Sequence, residues 1–154
     1  MVGSQGPLSL SGGGGIVALA STTASGNAGS VAVNAPQITV TSGAEIASTT
    51  AGSGAGGSVV VTTPGPLGLD GMGVSGTQIA ASATGAQSGV GGAVTVQANT
   101  LTVQGGAQIA SATAGSGKGG VVQVIAQGPL SLGDPGGVRS LPRQRRARRA
   151  TPGR

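Results

Sequence analysis

The stretch Thr113 to Val124, TAGSGKGGVVQV, places glycines at 115, 117 and 120 in the G-x-G-x-x-G order of a dinucleotide-binding loop. In such a loop the glycines let backbone N–H groups close on a pyrophosphate at the start of a helix. That chemistry needs a strand before the loop, a helix after it and an acidic residue about 20 positions on. Here GSGKGG runs into Val121-Val122-Gln123-Val124, whose apolar, β-branched pattern predicts a strand. The same spacing recurs at Gly52, Gly54 and Gly57, again before a run of valines. A P-loop fails too: Lys118 is followed by Gly119 rather than Ser or Thr, and Ala112 stands where the first glycine belongs. A loop that returns at one place in successive segments is expected to be a corner, and no cofactor is assigned to it.

The remaining reactive groups are few. The chain has no His and no Cys, so the usual nucleophile–base pairs are missing. Its three acids, Glu45, Asp70 and Asp134, fall in different segments, whereas glycosidase chemistry needs two carboxylates facing one bond. Asp70 and Asp134 each follow a Leu-x-Leu pair and are expected to be solvated turn residues. No glycine cluster ends in the aspartate of a calcium-binding β-roll, so no metal site is expected. Thr39, Thr49, Thr50, Thr95 and Thr102 are expected on outer faces. The strand preference of threonine explains them better than a regular ice-binding array. The chain is not expected to be an enzyme.

What would position these residues is a repeat. Residues 38–69 align without a gap on residues 101–132, at an offset of 63, with well over half the positions identical. Each half of that period is one unit of roughly 28–35 residues. An apolar-x-apolar pair recurs at Leu8/Leu10, Ile38/Val40, Leu67/Leu69, Leu101/Val103 and Leu130/Leu132. A single apolar residue follows at Leu19, Ile46, Ile79 and Ile109. A glycine-rich stretch then leads to Val31/Val33, Val59/Val61, Val94/Val96 and Val122/Val124.

Period-2 alternation of β-branched residues marks strands with one face buried. Gly, Ser, Ala, Asn and Thr between them mark turns. The fold expected is all-β: a parallel, right-handed β-helix solenoid of about four to five rungs, with three short strands per rung. A single rung cannot bury its inner face, but a stack shares one core. The inward ladder is assigned to Val40, Ile46, Val59, Val61, Ile79, Val94, Val96, Val103, Ile109, Val122 and Val124. With no Phe, Tyr or Trp, that core must be thin. The 33 glycines are expected to supply positive φ at tight corners. The most irregular corner is Asp70 to Gln78, DGMGVSGTQ; it reads as a tolerated insertion rather than a binding site.

Two segments, ITVTSGAEIASTTAGSGAGGSVVV and LTVQGGAQIASATAGSGKGGVVQV, resemble repeats of filamentous-haemagglutinin-like exoproteins, the adhesins of two-partner secretion systems. The resemblance spans about residues 6–134. It implies a right-handed β-helical fibre outside the cell or at the bacterial surface. It also implies an outer-membrane secretion partner, and contacts with a host cell, neighbouring cell, matrix or carbohydrate. The expected role is therefore a structural, adhesive shaft segment. Neither the secretion domain that such proteins carry near the N-terminus nor a signal peptide is visible, which suggests a fragment of something longer, and no segment approaches the ~20 apolar residues of a membrane-spanning helix.

Charge divides the chain. Residues 1–138 hold Lys118 against three acids, a balance of −2, and residues 139–154 hold seven arginines and no acid. The repeat region is expected over 1–137, incomplete and uncapped, with a disordered arginine-rich tail over 138–154. Three readings of the tail stay open: an out-of-frame or truncated end, a solvated end without a partner, and a basic arm. In the last, Arg143, Arg145, Arg146, Arg148 and Arg149 would meet a polyanion or anionic surface. Nucleic acid is not the expected partner of the body, since no basic surface can be spread over it. The alternatives to the adhesin are a small basic-tailed binding protein and a non-functional gene fragment.

Overall fold

A computed structural model describes residues 1–133 and 136–141. Every regular element in them is a strand, because the sequence alternates small apolar and polar residues over runs of two to six and breaks each run with turn formers. The first rung comprises β1 (Val2–Gly3), β2 (Leu8–Leu10) and β3 (Gly15–Ala20), and the second β4 (Ser30–Asn34), β5 (Ile38–Thr41) and β6 (Glu45–Thr50). The third holds β7 (Ser58–Thr62), β8 (Pro66–Asp70) and β9 (Gln78–Ala83); the fourth holds β10 (Ala93–Ala98), β11 (Thr100–Gln104) and β12 (Gln108–Thr113). β13 (Val121–Ala126), β14 (Leu130–Leu132) and β15 (Gly137–Leu141) complete a fifth.

Equivalent strands pair in parallel, giving three five-stranded sheets. The first sheet runs β1-β4-β7-β10-β13, the second β2-β5-β8-β11-β14 and the third β3-β6-β9-β12-β15. The chain is a β-solenoid of five rungs.

Register is set by the inner face, because a slip of one residue would turn every apolar side chain outward. Val31, Val59, Val94 and Val122 stack in the first sheet, and Ile38, Leu67, Leu101 and Leu130 in the second. Ile16, Ile46, Ile79, Ile109 and Val138 stack in the third. Val40, Ile46, Val59, Val61, Ile79, Val94, Val96, Val103 and Ile109 have no measurable exposure. Val122 and Val124 point the same way but are only partly buried, since β13 has a neighbour on one side alone.

Four expectations are revised. The apolar residue of the first rung that belongs to the third-sheet ladder is Ile16, which pairs with Ile46; Leu19 pairs with Thr49 and is 72% exposed. Thr50 is not on an outer face: it is two positions from Ser48 and four from Ile46, hence inward, and it is buried. The boundary expected at 137/138 falls inside β15, where Val138 stacks on Ile109 and packs against the core. The repeat thus runs to at least Leu141, because Gly-Val-Arg-Ser-Leu still alternates with the period of a strand. Finally, most corner glycines are not there for positive φ, as the geometry of the corners below explains.

Candidate functional site

The reactive residues of the described chain sit at two kinds of corner. Between the second and third sheets a four-residue turn recurs in four rungs. It is closed by hydrogen bonds from Gly14 N–H to Ser11 C=O (3.1 Å), Ala44 to Thr41 (3.1 Å), Val74 to Gly71 (2.7 Å) and Ala107 to Gln104 (3.0 Å). Its two central residues always have positive φ: Gly12 and Gly13, Ser42 and Gly43, Met72 and Gly73, Gly105 and Gly106. This is the type I′ arrangement, and glycine is favoured there for its backbone freedom.

The third rung departs from this pattern. Residues 71–77 separate β8 from β9, where three residues, 42–44 or 105–107, suffice in its neighbours. The added segment is tied to both adjoining rungs. Gly73 N–H donates to Gly105 C=O (3.2 Å), Gly43 N–H donates to Thr77 Oγ1 (2.7 Å), and the Ser42 hydroxyl meets Met72 Sδ (3.2 Å). Met72 and Val74 project, 67% and 49% exposed. A shallow hollow of about 200 Å³ separates Val74 from Gly105 and Gly106.

Both described carboxylates flank this corner, and each is engaged from the next rung. Gln78 Nε2 donates to Glu45 Oε2 (3.0 Å), and Gln104 Nε2 donates to Asp70 Oδ2 (2.8 Å). Asp70 Oδ1 also accepts the Met72 N–H (2.8 Å). The Gln104 amide first, and the Met72 N–H second, hold the Asp70 carboxyl below its usual range. Neutral amides stacked on acids avoid the like-charge repulsion that a carboxylate ladder would build up along the fibre axis. Among the described residues no three His, Cys, Asp or Glu side chains converge.

The loop that imitates a phosphate cradle is the corner between the third and first sheets. β12 ends at Thr113 and β13 begins at Val121, so residues 114–120 lead from strand to strand. Gly115, Gly117 and Gly120 lack positive φ. Their reason is vertical. A β-carbon at Gly117 would overlap the Gly89 carbonyl oxygen, and one at Gly120 the Gly92 carbonyl oxygen. Likewise Gly54 lies on Gly26 and Gly92 on Gly57; Gly57 lies on Gly29 and has a positive φ of 71° as well.

Buried serines brace these corners from inside. Ser48 Oγ donates to Gly29 C=O (2.6 Å), and Ser111 Oγ to Gly92 C=O (2.7 Å). Sequence reasoning missed both; their signal is the position two after the ladder isoleucine, in phase with the inner face. Lys118 is exposed, and its carbonyl accepts the Gly91 N–H (2.9 Å). A hollow of about 300 Å³ near the equivalent corners of the lower rungs is lined by hydroxyls, backbone and Gln87, with no ionisable group.

Asp134, Arg143, Arg145, Arg146, Arg148 and Arg149 lie outside the described residues. Arg139 lies on β15, paired with Ala110 and exposed. On the first sheet the outer face carries Ser30, Ser58, Val60, Thr95 and Gln123, with a Ser58–Ser30 hydroxyl contact of 2.9 Å. No helix in the described residues is long and apolar enough to cross a membrane. Comparisons with protein-family profiles, curated proteins and solved structures returned no match.

Proposed function

We propose that this chain is a structural, adhesive shaft segment of a secreted or cell-surface protein of the filamentous-haemagglutinin type, with no catalytic step of its own. The observation that carries this reading is a five-rung parallel stack whose outer faces, among the described residues, bear only Glu45, Asp70, Lys118 and Arg139 as charged side chains, with both of these carboxylates already engaged by glutamine amides. Such a stack acts as a stiff spacer, because each rung is hydrogen-bonded along its length to the next. Contacts with a host cell, a neighbouring cell, matrix or carbohydrate run through outer faces and corners, among them residues 71–77, where Met72 and Val74 are exposed. Export through an outer-membrane partner belongs to the same proposal.

The test is adhesion of beads coated with the chain to cell monolayers, matrix proteins and glycan surfaces. A Val96→Asp variant serves as the unfolded control, since it places an unpaired charge in the core. Binding by the folded chain and not by the control supports the role. Equal binding by both, or by neither, contradicts it.

A further inference from the structure

The corners between the third and first sheets alternate in length along the stack. Those over 21–29 and 84–92 have nine residues, whereas those over 51–57 and 114–120 have seven. The short corner that follows the second rung therefore lies between two longer ones, and a notch of about 300 Å³ opens over it. Thr22, Thr23 and Ser25 stand on one side, Gln87 on the other, and Gly52 and Ser53 form the floor. We propose that this notch binds one unit of a neutral sugar, an inference that rests on the adhesive reading for its purpose but not for its chemistry.

The floor is in place before any ligand arrives. Ser53 N–H donates to Ala24 C=O (3.2 Å), and Ser53 C=O accepts the Gly89 N–H (3.1 Å), so this backbone ties all three corners together. A β-carbon at Gly52 would strike the Ala24 carbonyl oxygen, so the floor rests directly on the corner beneath. Little ordering is left to be done on binding. The side chains, in contrast, are uncommitted. Thr22, Thr23, Ser25, Ser53 and Gln87 are exposed, and among the described residues only Thr23 of these five has a side-chain partner, the Ser21 hydroxyl (3.3 Å).

The ligand class follows from what the lining offers. No ionisable group lines the notch, so an ion would give up hydration without meeting a counter-charge. No aromatic or large aliphatic side chain lines it either, so an apolar ligand would bury little. What remains is a set of hydroxyls and one amide, groups that both donate and accept. A compact neutral ring with hydroxyls around its edge matches that set. The volume stands at the lower end for a ligand pocket, which limits the occupant to about one ring. Without an aromatic face to stack on, affinity is expected on the order of millimolar.

The test titrates the isotope-labelled full chain with glucose, galactose and N-acetylglucosamine in turn, and follows the backbone amides by NMR. Glucuronate, the glucose ring with a carboxylate, is the charged comparison. Saturable shifts confined to residues 22–25, 51–53 and 85–87 are expected with at least one neutral sugar, and several-fold weaker binding with glucuronate. Ser53→Ala and Gln87→Ala each remove one exposed polar group, and each should weaken binding roughly two- to tenfold with the rest of the spectrum unchanged. Shifts that never saturate, glucuronate bound as tightly as every neutral sugar, or an affinity unchanged in both variants would overturn the proposal. The adhesive reading is judged separately. Absence of saturable shifts with coated beads still adherent overturns the notch and leaves that reading standing; saturable shifts with beads that do not adhere support the notch and contradict that reading.

Discussion

At the corner between the third and first sheets, glycines stand where a β-carbon would strike the carbonyl of the rung beneath. At the turn between the second and third sheets, Gly13 and Gly73 stand in open space with left-handed backbone. One residue type thus answers two unrelated demands, closeness along the fibre axis and a conformation within one rung. The difference explains why the first corner imitates a nucleotide loop. Gly115, Gly117 and Gly120 lie over Ser88, Gly89 and Gly92, so their spacing is set by the rung below rather than by a ligand above. It also explains why the turn tolerates exceptions. Ser42 and Met72 take φ of 52° and 50° where Gly12 and Gly105 stand in the other rungs, a left-handed conformation that costs an L residue roughly 1–2 kcal/mol.

Substitutions can break this contrast. Gly92→Ala is expected to have the largest effect, because its β-carbon would meet the Gly57 carbonyl and backbone cannot swing aside. A loss of about 3 kcal/mol, or a fall of roughly 10 °C in thermal midpoint, is expected. Circular dichroism melting measures it, and a loss below that of Gly73→Ala would show that the corners are not closely stacked. Gly73→Ala should cost about 1–2 kcal/mol, since only the backbone conformation resists the methyl group. Ser42→Gly should act in the opposite direction, with relief of the left-handed strain partly offset by glycine's greater unfolded-state entropy, for a gain of about 0.5 kcal/mol. A loss on Ser42→Gly would place the value of that residue in its hydroxyl contact with Met72.

The smallest effect concerns Asp70, at the end of β8. Its carboxyl is held below the usual range by Gln104 and by the Met72 N–H, so the folded state binds its proton less readily than the unfolded chain. The stability this contributes is present above the unfolded value and is lost as the pH falls through the folded one. Asp70→Asn should flatten that acid limb of a stability–pH profile by removing, at neutral pH, the small contribution that the wild-type chain loses in acid. An unchanged acid limb would mean that Gln104 and Met72 do not favour the ionised form.

Much of this architecture was legible in the residues. Val-x-Val and Leu-x-Leu pairs separated by turn formers specify strands with one buried face, and their recurrence specifies stacking. Legibility failed where two patterns fit one stretch. In Gly-Ile-Val-Ala-Leu-Ala of β3, Ile16 and Leu19 lie on opposite faces, and alternation alone does not say which face is inner; pairing of Ile16 with Ile46 does. Ser48 and Ser111 read as turn composition and Thr50 as an outer-face residue, yet all three are inward strand residues: the serines donate to corner carbonyls, and Thr50 Oγ1 accepts the Gly52 N–H. Val138 was hidden by the arginines that follow it. The two purposes of glycine cannot be separated without knowing which residue lies below, information that exists only between rungs.

Parallel stacking of the five rungs in one register underlies all of this, and a spin-label distance between Ser9 and Ser131 tests it most directly. Both are outer-face residues of the second sheet, four rungs apart. Labels at these two sites, diluted in excess unlabelled chain, are expected to give a narrow distribution near 19 Å, about four strand spacings before allowance for the label arms. A broad distribution centred near about 60 Å, as for a flexible chain of that length, would contradict the solenoid.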